Sequence, residues 1–162
     1  VGVSASGMTP FVRGALTSAR KAGSRVVFVT CDPRNELQAF VDLTIAPAVG
    51  PQITAGSTRL KAAPATKLVL NMLTTSAMIL IGKTYGNLMV DVQMGSEKLR
   101  DRARRIIGMV TGLDYAAAGT LLKRANWNVK AAILMQQTGM TRAQALSRLR
   151  VEPRLRKLLG GR

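Results

Sequence analysis

Histidine is absent from the sequence, and cysteine occurs once, as Cys31. These two features exclude an intramolecular disulfide and the Cys/His ligand sets of structural zinc sites. Carboxylates are also scarce, because the first 96 residues contain only Asp32, Glu36, Asp42 and Asp91. General acid/base catalysis needs such groups beside the reacting atoms, so this stretch is poorly supplied for proton transfer.

A hydrophobic run long enough to cross a membrane is also lacking. The longest apolar stretch, residues 68–81, is interrupted by polar residues such as Asn71 and is flanked by Lys67 and Lys83, so it predicts a buried helix. The chain starts at Val1 without an initiator methionine and without the basic and apolar segments of a signal peptide. We therefore expect a cytoplasmic location and a chain truncated at its N-terminal side.

Negative charge is the third deficit. Lys and Arg number 24 against 8 Asp and Glu, which gives a net charge of +16, and +11 of this falls in residues 97–162. A basic surface attracts polyanions, but solvated basic helix faces have the same composition. One Trp and two Tyr make a stacking platform for single strands improbable. Nucleic acid is therefore not the partner that we expect.

Strand and helix patterns alternate in the first part of the chain. The β-branched run RVVFVT predicts a buried parallel strand, and Thr9-Pro10 predicts the start of a helix that ends near Lys21. The pattern predicts, in order, a strand end at residues 1–4, a helix at 9–21, a strand at 25–30, a helical stretch at 36–40 and a strand at 43–46. This order indicates an α/β fold with a doubly wound parallel sheet. Such sheets commonly have about five or six strands, so we expect the chain to hold only the C-terminal part of one.

The second part of the chain is predicted to be helical. A Gly- and Thr-rich loop leads into the apolar helix, predicted from about Pro64 to Gly82 and covered on most sides. Four amphipathic helices then begin near Ser96, Asp114, Asn128 and Thr141. They predict a compact helical module over residues 97–150, followed by a basic tail, residues 151–162, that we expect to fray.

Two segments have the composition of an anion site. Ser4 to Pro10 follows a strand and opens a helix, where backbone N–H groups and hydroxyls favour an anion. Residues 56–61 (GSTRLK) place hydroxyls, a guanidinium and an ammonium near the start of the long helix. The alternatives are a tight strand-to-helix connection in the first segment and a capped helix with solvated basic side chains in the second. Lys67 lies further along the helix and could face either way.

Three longer motifs give these segments a more specific meaning. GVSASGMTPFV, VGPQITAGSTRLKAAPATKLVLNMLTT and GKTYGNLMVDVQMGSEKLRDRA, in this order, resemble motifs of N-acetylmuramic acid 6-phosphate etherases. The resemblance runs from Val1 to about Leu149. It implies the C-terminal part of a sugar-isomerase (SIS) domain over residues 1–96 and a module similar to ubiquitin-associated (UBA) domains over residues 97–150. The glucokinase regulatory protein, a sugar-phosphate sensor, has a similar arrangement.

The resemblance also implies an activity. The etherases are lyases of peptidoglycan recycling that cleave the lactyl ether of N-acetylmuramic acid 6-phosphate into D-lactate and N-acetylglucosamine 6-phosphate. They are cytoplasmic homodimers that need no metal or cofactor, and their acid/base glutamates lie in the N-terminal half. For this chain alone, the resemblance therefore implies no catalytic residues and no activity. The implied substrate-binding residues are Ser4, Ser6, Gly7, Thr9, Ser57, Thr58, Arg59 and Lys61.

Three positions depart from the etherase pattern. Gln52 stands in place of the usual Glu, Met8 in place of a frequent Arg, and Pro64 lies where the family has KAGTAQK. Gln52 removes a charge that could orient a sugar hydroxyl, and Pro64 changes the start of the helix. Gln52 and the altered helix start motivate the alternative of a non-catalytic sugar-phosphate sensor of the glucokinase-regulator type.

Overall fold

A computed structural model describes residues 1–160. Its longer helices are α1 (Pro10–Lys21), α2 (Ala62–Leu80), α3 (Glu97–Thr111), α4 (Tyr115–Arg124), α5 (Val129–Thr138) and α6 (Arg142–Val151), and the short α7 is Leu155–Leu158. The strands are β1 (Gly2–Val3), β2 (Val27–Val29), β3 (Leu43–Ile45), β4 (Thr84–Tyr85) and β5 (Leu88–Met89). The chain divides into two compact units, the sheet unit from Val1 to Thr74 and the helical unit from Thr75 onward.

The sheet unit is built on parallel strands in the order β1–β2–β3. Phe28 of β2 lies opposite Gly2 of β1 and Thr44 of β3. The prediction of a buried strand from RVVFVT is confirmed, because Phe28 and Val29 are fully buried. The α/β class with a parallel sheet is thus confirmed, whereas the doubly wound topology stays a prediction.

Helix α1 packs closely on this sheet. Leu16 of α1 forms a small core with Val26, Phe28 and Leu37. A Cβ atom at Gly2 would lie 2.8 Å from Leu16 Cδ1, so glycine allows the helix to approach β1. Thr9 is the N-cap and Pro10 the first helical residue, as predicted. The helix therefore starts directly after the loop that follows β1.

The prediction that α2 is buried is wrong for most of its length. Only Ala62 and Val69 of this helix are buried, whereas Leu68 and Met72 are each 60% exposed. These two apolar residues are four positions apart and therefore lie on one helical stripe. An apolar composition on all sides of this helix therefore did not mean that all its sides are covered.

The helical unit forms as its capping residues predict. The side chains of Ser96, Asp114 and Asn128 each accept a hydrogen bond from the backbone N–H three residues on. Thr141 and Gln144 form the reciprocal capping box of α6. The helices enclose one core that includes the predicted apolar positions Ala103, Ile106, Ile107, Ala118, Leu121, Leu122, Val129, Ala132, Ile133 and Ala145.

The expected fraying of the basic tail is wrong for residues 155–158. They form α7, and Leu155 is fully buried in the core of the helical unit. Lys130 of α5 supports this arrangement, because its Nζ donates hydrogen bonds of 3.2 Å to the carbonyls of Gly82 and Pro153. Burial lowers the pKa of this ammonium group. Gly161 and Arg162, the end of the predicted tail, lie outside the described residues.

Two further observations concern the chain as a whole. The boundary between the two compact units lies after residue 74, within α2. Residues 75–96 are therefore part of the helical unit. The domain limits predicted from sequence are not tested by this division and stay a prediction. Among residues 1–160, no helix combines the length and the apolar character needed to cross a membrane.

Candidate functional site

The loop after β1 is fixed by hydrogen bonds to the end of β2. The Ser4 N–H donates to the Val29 carbonyl at 3.0 Å, and the Ala5 carbonyl accepts from the Cys31 N–H at 2.9 Å. Thr30, which is fully buried, also donates its hydroxyl to the Ala5 carbonyl. The first segment predicted as an anion site is therefore held at the carboxyl ends of two parallel strands, where α/β proteins bind ligands.

Hydroxyl groups of this loop have two different roles. Ser4 Oγ is buried and lies 2.9 Å from Thr9 Oγ1, so the two side chains are hydrogen-bonded to each other. Thr9 is the N-cap of α1, but its side chain makes no capping hydrogen bond. Pro10 has no N–H group and the Val12 N–H donates to the Thr9 carbonyl at 3.1 Å, so the Phe11 N–H is the group of the first turn that is left for an anion. Ser6, by contrast, is exposed.

Gly7 gives the loop its shape. Its φ of 71° is in the left-handed region, and a Cβ atom there would lie 1.9 Å from Asn35 Nδ2. Asn35 cannot easily move aside, because its Nδ2 donates to the Ser6 carbonyl and its Oδ1 accepts from the Leu37 N–H. A side chain at position 7 would therefore strain the loop and displace its support.

A cavity of about 510 Å³ lies against this loop and the start of α1. Gly7, Met8, Thr9 and Pro10 form one wall. The other residues that line it include Arg13, Asp32, Arg34 and Asn35. Two guanidinium groups thus lie beside the uncapped start of a helix, and both features favour an anion.

Two further cavities connect the first loop to the start of α2. One of about 430 Å³ is lined by Ala5, Ser6 and Met8 together with Asp32, residues 49–52 and Thr58. Another of about 680 Å³ is lined by Ser4 and Ala5 with Thr58, Arg59 and Lys67. The structure therefore brings Ser4, Ser6, Gly7, Thr9, Thr58 and Arg59 of the predicted set to one edge of the sheet.

Lys61 and Ser57 have local partners instead. Lys61 Nζ donates to the Pro51 carbonyl at 2.6 Å, and the Lys61 N–H donates to Gln52 Oε1 at 3.0 Å. Ser57 Oγ accepts from the Arg59 N–H at 3.4 Å. These bonds fix the loop before α2, and the two side chains do not line the cavities described above. A carboxamide at position 52 suffices as the acceptor for the Lys61 N–H.

Sequence reasoning had not assigned Arg13, Asp32, Arg34 or Asn35 to the site. Asp32 and Asn35 follow β2, so the rule that ligands bind beyond the carboxyl ends of parallel strands pointed to this segment. Arg13 is three residues after Pro10 and shares its side of the first helical turn. Among the described residues, His, Cys, Asp and Glu form no group of three or more that could hold a metal ion.

Curated proteins similar to this chain share one name. The N-acetylmuramic acid 6-phosphate etherase of Nostoc sp. strain PCC 7120 is 50% identical over 140 residues, which are 86% of this chain and 46% of that protein. The etherases of Gloeobacter violaceus and Alkaliphilus metalliredigens are 50% and 48% identical over 149 residues, or 92% of this chain and 49% and 48% of theirs.

These matches confirm the resemblance to the etherase family that the motifs indicated. The chain spans about half the length of the curated relatives it matches, and the match lies in their C-terminal part. No protein-family model matches the chain.

Proposed function

We propose that this chain is the C-terminal part of an N-acetylmuramic acid 6-phosphate etherase and that it supplies the phosphosugar-binding loops. The observation that carries the proposal is the identity of about 50% over 86 to 92% of the chain with proteins of that name. In this reaction the lactyl ether is cleaved, and the products are D-lactate and N-acetylglucosamine 6-phosphate. The proposed setting is peptidoglycan recycling in the cytoplasm.

The sugar phosphate group is proposed to lie at the start of α1. The Ser4–Thr9 hydrogen bond leaves the first turn of this helix without a side-chain cap, so the Phe11 N–H and the helix dipole favour the phosphate. Ser6, Gly7 and Thr9 would contact the phosphate, with Arg13 and Arg34 at the same cavity. Thr58 and Arg59 would contact the ligand from the loop before α2.

Proton transfer is assigned to groups outside the chain described above. The carboxylates that line the three cavities are Asp32 and Glu36, and neither is a glutamate of the family's acid/base pair. We therefore propose that the catalytic glutamates lie in the half of the protein that precedes this sequence in the relatives. The chain alone is expected to bind the sugar phosphate without cleaving it.

The finer architecture belongs to the same proposal. Residues 1–96 would be the C-terminal part of a doubly wound SIS domain, and residues 97–150 would be a UBA-like module.

We also propose a homodimer, which is supported by the exposed apolar residues Leu68 and Met72 on α2. Size-exclusion chromatography with light scattering measures the mass directly, and a monomer at micromolar concentration would refute the dimer.

A chimeric enzyme tests the proposed activity. The complete chain, residues 1–162, would replace the matching C-terminal half of the Nostoc etherase, and release of D-lactate from N-acetylmuramic acid 6-phosphate would be measured. We expect turnover, and we expect Thr9→Val in the chimera to lower kcat/KM about 10-fold or more, as loss of a phosphate hydrogen bond predicts.

Thr17→Val is the matched control, because Thr17 is on the same helix and donates its hydroxyl to the Arg13 carbonyl. It should leave turnover nearly unchanged. A folded chimera that binds the sugar phosphate but releases no lactate would favour the sensor function instead. A folded chimera that does neither would refute both functions.

A further inference from the structure

We infer that Asp32 is a specificity-determining residue, whose carboxylate accepts a hydrogen bond from a hydroxyl or amide N–H of the sugar while the phosphate lies at the start of α1. This inference rests on the proposed function, because it assumes a phosphosugar in that cleft. It concerns the sugar, which is the uncharged part of the ligand. The groups that bind the phosphate do not distinguish one sugar phosphate from another.

The position of Asp32 is the first argument. It lies three residues after the last residue of β2, at the carboxyl edge of the parallel sheet. It lines both the cavity beside Gly7 and Thr9 and the cavity shared by Ser6 and Thr58. A ligand whose phosphate occupies the first cavity would therefore extend past Asp32 towards the loop before α2.

The rigidity of Asp32 is the second argument. Its N–H donates to Thr30 Oγ1 at 3.1 Å, and its Oδ1 accepts from the Arg34 N–H at 3.0 Å. Its carbonyl accepts from the Asn35 N–H at 3.4 Å. Since Thr30 is fully buried, the two backbone bonds hold the main chain of Asp32, and the Arg34 N–H orients its carboxylate. An acceptor that is already in place loses little entropy when a ligand binds.

The unused oxygen of this side chain is the third argument. Within residues 1–160, Asp32 Oδ2 accepts no hydrogen bond and is not part of an ion pair. The carboxamide of Gln52, which lines the same cavity, is already used as an acceptor by the Lys61 N–H. Asp32 Oδ2 is thus a free, half-buried acceptor in a cleft whose other charged groups are mostly basic.

The charge of Asp32 gives the inference a distinctive signature. A carboxylate beside a phosphate site repels a bare phosphate ion, because like charges at short range destabilise each other. The same carboxylate strengthens binding of a ligand that donates a hydroxyl or amide hydrogen to it. Removal of the negative charge should therefore affect orthophosphate and a sugar phosphate in opposite directions.

Calorimetric titration of the complete chain with orthophosphate and with N-acetylglucosamine 6-phosphate tests this inference. Asp32→Asn keeps an oxygen that accepts from the Arg34 N–H and replaces the free acceptor by an amide NH₂. We expect the sugar phosphate to bind about 10- to 100-fold more weakly to this variant, as loss of a charge-assisted hydrogen bond predicts. Orthophosphate should bind equally well or more tightly.

Glu97→Gln is the matched control, because it removes the same charge from an exposed side chain that lines none of the three cavities described above. It should leave the ratio of the two affinities unchanged. Asp32→Ser, whose hydroxyl can accept from the Arg34 N–H in the same turn, serves as a second variant if Asp32→Asn does not fold. It should weaken sugar phosphate binding in the same way.

The outcomes separate this inference from the proposed function. If the unmodified chain binds both ligands and Asp32→Asn weakens both equally or neither, the inference is wrong and the phosphosugar site remains. If the unmodified chain binds neither ligand, the proposed site fails and the inference fails with it.

Discussion

The sheet unit and the helical unit differ in how much apolar surface they bury. The sheet unit has seven buried hydrophobic residues, four of which form its core cluster, whereas fifteen form the core of the helical unit in the described part of the chain. The sheet unit also leaves large apolar side chains such as Phe11 and Ile53 about four-fifths exposed. Because burial of apolar area is the main favourable term in folding, we expect the helical unit to be the more stable of the two.

The candidate site, in contrast, lies in the sheet unit, which buries less apolar surface. The three cavities that involve predicted site residues all lie in the sheet unit. Its loops are fixed by single hydrogen bonds, such as that of Cys31 N–H to the Ala5 carbonyl, and not by extensive apolar contact. The candidate site and most of the buried apolar side chains therefore lie in different units, and three changes can test this separation.

The largest effect is expected for Ile107→Ala in the core of the helical unit. Ile107 is fully buried, and truncation of such a residue lowers the free energy of unfolding by about 2–5 kcal/mol. Trp127 is the only tryptophan of the chain and belongs to the helical unit, so its fluorescence in a urea titration reports this change.

The control for Ile107→Ala is Met109→Ala. Met109 lies on the same helix and is 64% exposed, so this change should cost less than about 0.5 kcal/mol. Sugar phosphate binding should be unaffected by Ile107→Ala below the unfolding transition. Loss of binding in a folded variant would show that the two units are coupled.

A smaller effect is expected for Gly7→Ala in the sheet unit. Alanine at the left-handed φ of Gly7 costs about 1–2 kcal/mol, and its Cβ would displace Asn35. The first loop should lose its shape, and we expect N-acetylglucosamine 6-phosphate to bind at least about 10-fold more weakly in calorimetric titration, since 1.4 kcal/mol is a factor of ten.

Gly14→Ala is the matched control for Gly7→Ala. Gly14 lies within α1, and a Cβ atom there meets nothing within 4 Å. The same substitution should therefore stabilise the helix by about 0.5–1 kcal/mol and leave binding intact. An unchanged affinity in Gly7→Ala would argue against the first loop as the phosphate site.

Local sequence signals predicted the helical unit well because they act over one helical turn. Ser96, Asp114, Asn128 and Thr141 are caps whose side chains reach only three residues ahead, so spacing alone identifies them. The β4–β5 hairpin was not predicted, although Gly86 and Asn87 form a two-residue turn between its strands. Strands of two residues carry too little alternation for a periodicity argument.

Tertiary contacts account for the rest of what the sequence did not reveal. The burial of Leu155 depends on the helices that cover it, and Lys130 is a charged residue on the inner face of α5. The positions of Asp32 and Arg13 at the cavity depend on how β2 and α1 meet. Only the order of strands and helices, and not the residue types, could have indicated these positions.

The smallest effect concerns the tail of the helical unit and its pH dependence. Hydrogen bonds from Arg154 hold the pKa of Glu152 at about 2, below its usual value of 4.5. The unfolded tail therefore binds more protons than the folded tail between these two pH values. The contribution of this pair to stability is present above pH 4.5 and is lost as the pH falls through about 2.

The carboxyl resonance of Glu152 in a titration by NMR should show a midpoint near 2, and the Leu155 amide should report the same step. Glu152→Gln should remove this step from the Leu155 amide, and a midpoint near 4.5 would mean that the pair with Arg154 does not hold the tail in solution.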